Sequence, residues 1–293
     1  MPKTKKILVT GVNGQLGYDC VRELRKRGYT NVKGIDIADL DITDEAAVHQ
    51  YILDYKPEVV MHNAAWTAVD KAEEFPEKVY EVNALGAKYI AEACQKISAK
   101  MVYISTDYVF DGEGTKEFEI NDARKGLSVY GETKAKGEDF VKAALDKYFI
   151  VRISWVFGIH GNNFVKTMLK LADLGKKEIN VVCDQIGSVT YTCDLSVLLC
   201  DMIETEQYGI YHATNEGTIS WYDFAVEIFK QTNIDMKVNP VTTAEYIKLI
   251  PQQAKRPLNS RLSKKSLTNA GFKRLPDWKD ALSRFLKEMK NYE

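Results

Sequence analysis

Tyr130 and Lys134, in the string Tyr130-Gly-Glu-Thr-Lys134, stand four positions apart, so a helix would carry a phenol and an ammonium on one face. Such a pair can move a proton. A free phenol has a pKa of about 10, too high for efficient exchange at neutral pH, and a nearby cation favours the phenolate and lowers it. Taken alone, the spacing is common on helix surfaces. It gains meaning from Ser105-Thr106-Asp107-Tyr108, which follows the fourth apolar run of the chain. Open α/β sheets place their ligands beyond the carboxyl ends of the strands. A Ser105 or Thr106 hydroxyl there can hydrogen-bond a carbonyl and hold it beside Tyr130.

Upstream, Gly11-Val-Asn13-Gly14-Gln15-Leu16-Gly17 lies between the first apolar run and the first helical pattern. Glycines at such a turn permit a tight bend, close approach of backbone to a pyrophosphate, and close helix–strand packing. The helix N-terminus adds free N–H groups and the positive end of its dipole. The spacing is G-x-x-G-x-x-G, not the commoner G-x-G-x-x-G, so the dinucleotide reading rests on its place in a βαβ unit. Asp36 closes the second strand about 20 residues further on, where a carboxylate accepts ribose hydroxyls and repels a 2′-phosphate. The expected cofactor is NADH or NADPH, with NADH favoured by Asp36 and Lys33 tempering that preference. Lys134 would then also hold the nicotinamide ribose.

These groups need a scaffold, and the first half of the chain supplies one. Ile7–Thr10, 31–36, Val59–His62, Met101–Ile104 and Phe149–Ile153 read as strands. Helical patterns fall between them at 16–24, 44–55, 83–97 and 133–145. Strands alternating with helices imply right-handed crossovers and a parallel sheet buried on both faces. The expected fold is α/β, a doubly wound parallel sheet of the Rossmann type with a small interleaved C-terminal substrate region. The pattern predicts residues 1–155 and 187–215 in the dinucleotide domain, and 156–186 with 216–293 in the substrate region. At the end, Trp278, Ala281, Leu282, Phe285, Leu286 and Met289 form an apolar stripe at helical spacing, which is packing.

Composition excludes several classes. The chain has 293 residues, 45% hydrophobic and 28% charged, enough apolar content for a core. Forty Lys+Arg against 41 Asp+Glu leave no basic excess for nucleic acid. The five cysteines form no C-x-x-C pair and the four histidines no H-E-x-x-H helix, so neither a disulfide framework nor a metal site is expected. No apolar run is long enough to span a membrane, and no secretory signal is read at the N-terminus, so the expected setting is cytoplasmic.

The chain resembles the extended short-chain dehydrogenase/reductases. The matching strings are Val9-Thr10-Gly11 with Asn13 to Gly17, Asn63-Ala-Ala-Trp-Thr-Ala-Val-Asp-Lys-Ala-Glu73, Val82-Asn83, and Ser105 to Gly112. Tyr130 to Lys134 with Gly137-Glu138, Arg152 to Gly158, Asp184-Gln185 and Arg256 to Ser260 extend the match over nearly the whole chain. The resemblance implies Thr106, Tyr130 and Lys134 as the catalytic set. It places Asn63, Ala64 and Ala65 along the cofactor and Asp41 and Ile42 at the adenine. Thr67, Val69, Tyr108 and Trp155 match positions facing a sugar, and Arg256, in the basic run 255–265, a segment near a nucleotide diphosphate.

The implied reaction is reduction of the 4-keto group of dTDP-4-dehydro-6-deoxy-L-mannose to dTDP-L-rhamnose. Another nucleotide-sugar reductase or epimerase stays open, as does a non-catalytic NAD(P)-binding regulatory subunit, although an intact Thr106/Tyr130/Lys134 set argues against the last. Some members bridge subunits through magnesium held by carboxylates, which leaves a homodimer open. Asp19 matches one such position, but Thr192 stands where a second acidic ligand is sought, and no metal is expected.

Overall fold

Six short apolar runs pair into one parallel sheet in the computed structural model, which describes residues 3–249 and 253–292. The strands are β1 (Ile7–Thr10), β2 (Val32–Ile35), β3 (Val59–His62), β4 (Lys100–Thr106), β5 (Tyr148–Ile153) and β6 (Gly209–His212). Their order is β6-β5-β4-β3-β1-β2. The chain leaves β1 to pair on both sides, Ile7 standing opposite Val32 and Val59. That reversal opens a crevice at the carboxyl ends of β1 and β3, the place where doubly wound sheets bind nucleotides.

Helices cover both faces. They are α1 (Gln15–Lys26), α2 (Glu45–Tyr55), α3 (Val69–Ala72), α4 (Pro76–Tyr80), α5 (Gly86–Lys96) and α6 (Val129–Ala144). Ile7 and Val9 pack with Leu16, Cys20 and Leu24 of α1 and with Leu195 and Leu199 of the helix Thr192–Ile203. Leu8, between them, packs on the other face with Ile52 of α2, Ile90 of α5 and Val141 of α6. Ile7, Leu8 and Val9 are all fully buried, which is why the run shows no alternation.

A third core, around Phe157, Tyr191, Phe224, Trp278 and Phe285, belongs to the later chain. Here strands of two to five residues pair across long separations: Glu178–Val182 with Lys237–Val241, and Ile186–Gly187 with both Ile219–Ser220 and Asn259–Ser260. The terminal stripe forms the helix Trp278–Tyr292, with Trp278, Ala281, Leu282, Phe285 and Leu286 buried. The helix Thr192–Ile203 and β6 return to the large sheet, so the two regions interleave.

Candidate active site

Gly11, just after β1, has φ +68°, and a Cβ there would lie 2.8 Å from the Ala64 backbone nitrogen. A Cβ on Gly17 would meet the Gly11 carbonyl oxygen at 2.2 Å. Both glycines therefore let α1 and the turn after β3 close on the loop. Gly14 caps α1 with no side-chain bond, and the first turn, with Gln15 and Leu16, holds no acid. Its N–H groups are left for an anion. Asp36 accepts the Asn13 N–H and the Ile37 N–H, each at 2.9 Å, so it ties the second strand to the loop while each oxygen keeps a lone pair for a hydroxyl. Lys33 instead stands over the Tyr51 and Tyr55 rings of α2, at 4.7 and 5.1 Å, which corrects its expected influence on cofactor choice.

Thr10 ends β1. Its hydroxyl accepts the Asn63 and Ala64 N–H groups at 3.2 and 3.1 Å and donates to His62 Nδ1 at 2.9 Å, fixing the start of the Asn63-Ala64-Ala65 turn. Among the described residues Asn63 Oδ1 is buried with no partner, an acceptor left for a donor from outside the chain. With the bare α1 terminus, it fits a dinucleotide. Asp41 closes its own turn onto Thr43, whose bonds hold its carboxyl below the usual range, and Ile42 packs into the core beside Gly86. Asn83, in a π-helical segment Glu81–Leu85, clasps the Trp66 N–H and carbonyl and the Thr133 hydroxyl. It thereby joins the turn after β3 to α6, a bond for which the Val82-Asn83 string was the only sequence sign.

The α6 helix starts at Val129, four residues before the sequence pattern indicates, because Ser128 caps it by accepting the Gly131 N–H at 3.2 Å. Tyr130 thus lies in its first turn and Lys134 one turn later. A Cβ at Gly131 would strike the Tyr108 carbonyl oxygen at 2.1 Å, so glycine brings Tyr130 down onto the end of β4. There the Thr106 hydroxyl caps a short turn, accepting the Tyr108 N–H at 3.2 Å and donating to Asp107 Oδ1 at 2.9 Å. Asp107 Oδ2 accepts the Ser260 hydroxyl at 2.5 Å. Neither Asp107 nor Ser260 was singled out from the sequence, and their 153-residue separation leaves no local signal.

Burial sets the electrostatics. It pushes Tyr130 well above the ordinary phenol value, opposed by the hydrogen bond with Thr106. Lys134 is pushed down to about 7 by burial, with the Glu138 carboxylate opposing, and its ammonium sits 4.1 Å from the centre of the Tyr103 ring. Burial thus outweighs the lowering of the phenol expected from Lys134. Asp107 is raised to about 6 by burial against the bonds from Ser260 and Thr106. His62 and His212 are both pushed down to about 3 by burial and stay neutral at physiological pH.

One turn after Lys134, Glu138 is fully buried. It accepts Arg152 Nε and Nη2 at 2.8 and 2.7 Å, Ser105 Oγ at 2.6 Å and Arg124 Nη1 at 3.1 Å. This network bolts α6 to the ends of β4 and β5.

On the sugar side, Tyr108 meets Tyr130 edge-on, with ring centres 5.5 Å apart. Arg256 Nη1 donates to the Tyr108 hydroxyl at 3.3 Å. Trp155, two residues past β5, has φ +49°, a conformation that costs energy outside glycine. Its indole stacks on Trp221 at 3.9 Å, and Gly187 lies between that ring and Ser260. The structure therefore gathers Thr106, Tyr108, Tyr130 and Arg256, with Trp155 linked to them through Gly187 and Ser260. Val69 opens α3, and Thr67 is exposed with no recorded partner. The basic run disperses: Arg261 binds Asn259 and Lys265 pairs with Glu119, leaving Arg256 alone toward Tyr108.

The residues at the expected magnesium position do not fit a divalent cation. Arg22 lies 2.8 Å from Asp19 and also pairs with Glu288, while the Thr192 hydroxyl donates to Asp19 at 2.5 Å. A guanidinium already neutralises the two acids. Among the described residues, one His–carboxylate group has ligand spacing, Glu45, His49 and Glu92 on α2 and α5. The ammonium of Lys96, 3.3 Å from His49 Nδ1, crowds it.

A doubly wound sheet with a glycine loop, an acid after β2 and a Thr/Tyr/Lys set at the carboxyl edge defines a nicotinamide-dependent oxidoreductase of the extended short-chain dehydrogenase/reductase class. Within that class, the family model described as "RmlD substrate binding domain" matches residues 5–291, and the chain belongs to that family. It is similar to the crystal structure of a dTDP-4-dehydrorhamnose reductase from Clostridium acetobutylicum, with 44% identity, a TM-score of 0.93, and 97% of this chain and 99% of that one covered. Bacillus anthracis dTDP-4-dehydrorhamnose reductase in complex with NADP shows 41% identity, the same TM-score and the same coverage. The spore coat polysaccharide biosynthesis protein SpsK of Bacillus subtilis is 40% identical over 283 residues, 97% of each chain.

Proposed function

We propose that this protein reduces the 4-keto group of dTDP-4-dehydro-6-deoxy-L-mannose, giving dTDP-L-rhamnose, with NADH or NADPH as reductant. The observation that carries the reading is the convergence of Thr106, Tyr130 and the buried Lys134 at the carboxyl edge of β4. Two solved relatives with over 40% identity, each named as this reductase, support the substrate. Residues 1–155 and 187–215 are assigned to the dinucleotide, and 156–186 with 216–293 to the sugar.

The bound reduced nicotinamide supplies hydride to C4. The Tyr130 phenol gives its proton to the C4 oxygen as negative charge develops there, completing the alcohol. Thr106, aimed by Asp107, hydrogen-bonds the same oxygen and holds it against the phenol. Lys134 would hold the nicotinamide ribose, and its charge would rise in worth where a ligand excludes water. Asn63 Oδ1 and the α1 terminus would hold the rest of the dinucleotide, and Asp36 would receive the adenosine ribose, favouring NADH. Trp155 and Tyr108 give a deoxyhexose one flat apolar wall and one polar tip.

Five cysteines without disulfides fit a cytoplasmic setting. The homodimer is a separate proposal, checked by sedimentation velocity. Oxidation of NADH and NADPH by purified protein against a panel of 4-keto sugar nucleotides tests the function. Selective turnover of the dTDP-linked 6-deoxyhexulose supports it. Turnover of a different sugar, or none, contradicts it.

A further inference from the structure

The guanidinium of Arg256 is held from one side. Nη2 donates to Asp70 Oδ1 and Oδ2 at 3.0 and 2.8 Å, and Asp70 Oδ1 also accepts the Ala254 N–H at 3.0 Å. Asp70 sits on α3, directly after Val69, whereas Arg256 comes from the distant segment that leads to Ser260. The pair thus joins the segment after β3 to the segment that leads to Ser260. Its side chains are 46% and 28% exposed, a setting in which an ion pair adds little to stability. Its geometry is nevertheless specific. Arg256 Nη1 reaches the Tyr108 hydroxyl, and Tyr108 lies edge-on against Tyr130. A guanidinium has five N–H donors, and among the described residues Nε–H and one Nη1–H carry no bond.

We propose that Asp70 is a positioning residue for sugar-nucleotide binding: it clamps Nη2 of Arg256 and the Ala254 backbone so that the remaining guanidinium N–H groups are held for the diphosphate. The inference rests on the function proposed above. A planar fork fixed in advance loses less freedom when it forms phosphate bonds than a free side chain would. Asp70 touches no reacting atom, so its effect belongs to binding of the sugar nucleotide and not to hydride transfer.

The test is steady-state kinetics of the full chain with dTDP-4-dehydro-6-deoxy-L-mannose at saturating NADH. Asp70→Ala is expected to raise KM by about tenfold, the worth of one oriented charged contact, with kcat changed much less. The Kd for NADH and the Tm should match the parent protein. Arg256→Ala should raise KM at least as much, and the double variant no more than Arg256→Ala alone, because Asp70 acts only through that arginine. The charge-reversed pair Asp70→Arg/Arg256→Asp restores an ion pair but turns a carboxylate toward the diphosphate, so its KM should stay high. Recovery of KM in that pair would show that the contact merely closes the cleft, and overturn the proposal. So would an Asp70→Ala variant that lowers kcat and Tm at unaltered KM. If the parent protein does not turn over this substrate, the functional reading fails, whereas a parent that does and an unaffected Asp70→Ala variant sink only the role of Asp70.

Discussion

At neutral pH, Lys134 sits at its own midpoint, about 7, and Asp107 lies just below, at about 6. In the proposed mechanism both serve Tyr130: Lys134 as the cation that would hold the ribose, Asp107 as the acceptor that aims Thr106. Lys134 loses its charge as pH rises through about 7, and Asp107 loses its charge as pH falls through about 6. The pH profile of kcat/KM should therefore be a narrow bell with limbs near those two values. The two buried histidines cannot supply either limb, since both titrate near 3. A profile flat from pH 5 to 9 would contradict this assignment. Burial of Lys134 also has a stability consequence. Its folded pKa is below the unfolded value of about 10.4, so the unfolded chain binds more protons between these values and stability rises with pH across that window. Lys134→Met should remove that rise and gain about 1–3 kcal/mol at pH 7 in urea unfolding, while turnover collapses.

The placement of α6 decides whether those side chains meet at all. Ser128 starts it, Gly131 lowers it onto β4, and Glu138 bolts it to Arg152, with Ser105 and Arg124 completing the shell. Removing one partner of a buried ion pair leaves an uncompensated charge. Arg152→Met should cost about 3–5 kcal/mol in urea unfolding, with Arg124 keeping the loss toward the lower end. A loss under 1 kcal/mol would mean that the packing of α6 does not depend on this network. The sequence shows the helix but not its start, because a serine cap five residues ahead of the periodic stretch interrupts no pattern. It shows Thr106 yet not Asp107 and Ser260, whose bond joins β4 to the far substrate region.

The division of labour between the two regions explains what could be read in advance. In the dinucleotide half, four- to seven-residue strands buried on both faces alternate with amphipathic helices, and local pattern reveals them. The later chain relies partly on two-residue pairings such as Ile186–Gly187 with Asn259–Ser260, which have no periodicity to detect. The basic run 255–265 illustrates the limit: Arg256 reaches the Tyr108 hydroxyl while Arg261 and Lys265 bond elsewhere, and tertiary contacts alone sort them. On the proposed reading, cofactor choice belongs to the joint between α1 and β2. Asp36 braces Asn13 there, so Asp36→Ala should weaken NADH and relieve repulsion of a 2′-phosphate. The ratio of kcat/KM values should move toward NADPH by about tenfold, as one charged hydrogen bond is worth. An unchanged ratio would assign the preference elsewhere.

An epimerase on this scaffold would return its cofactor unchanged, and a regulatory subunit would not turn it over, whereas a reductase consumes one hydride per product. The decisive measurement supplies nicotinamide cofactor deuterated at the transferred C4 position, together with dTDP-4-dehydro-6-deoxy-L-mannose, and follows the sugar by mass spectrometry and NMR. The expected product is dTDP-L-rhamnose carrying one deuterium at C4, formed in step with cofactor oxidation. In Tyr130→Phe the rate of labelling should fall by about 10²–10⁴-fold, the range for a positioned acid, with cofactor binding retained. An unlabelled product, no net cofactor oxidation, or full activity in Tyr130→Phe would contradict the account.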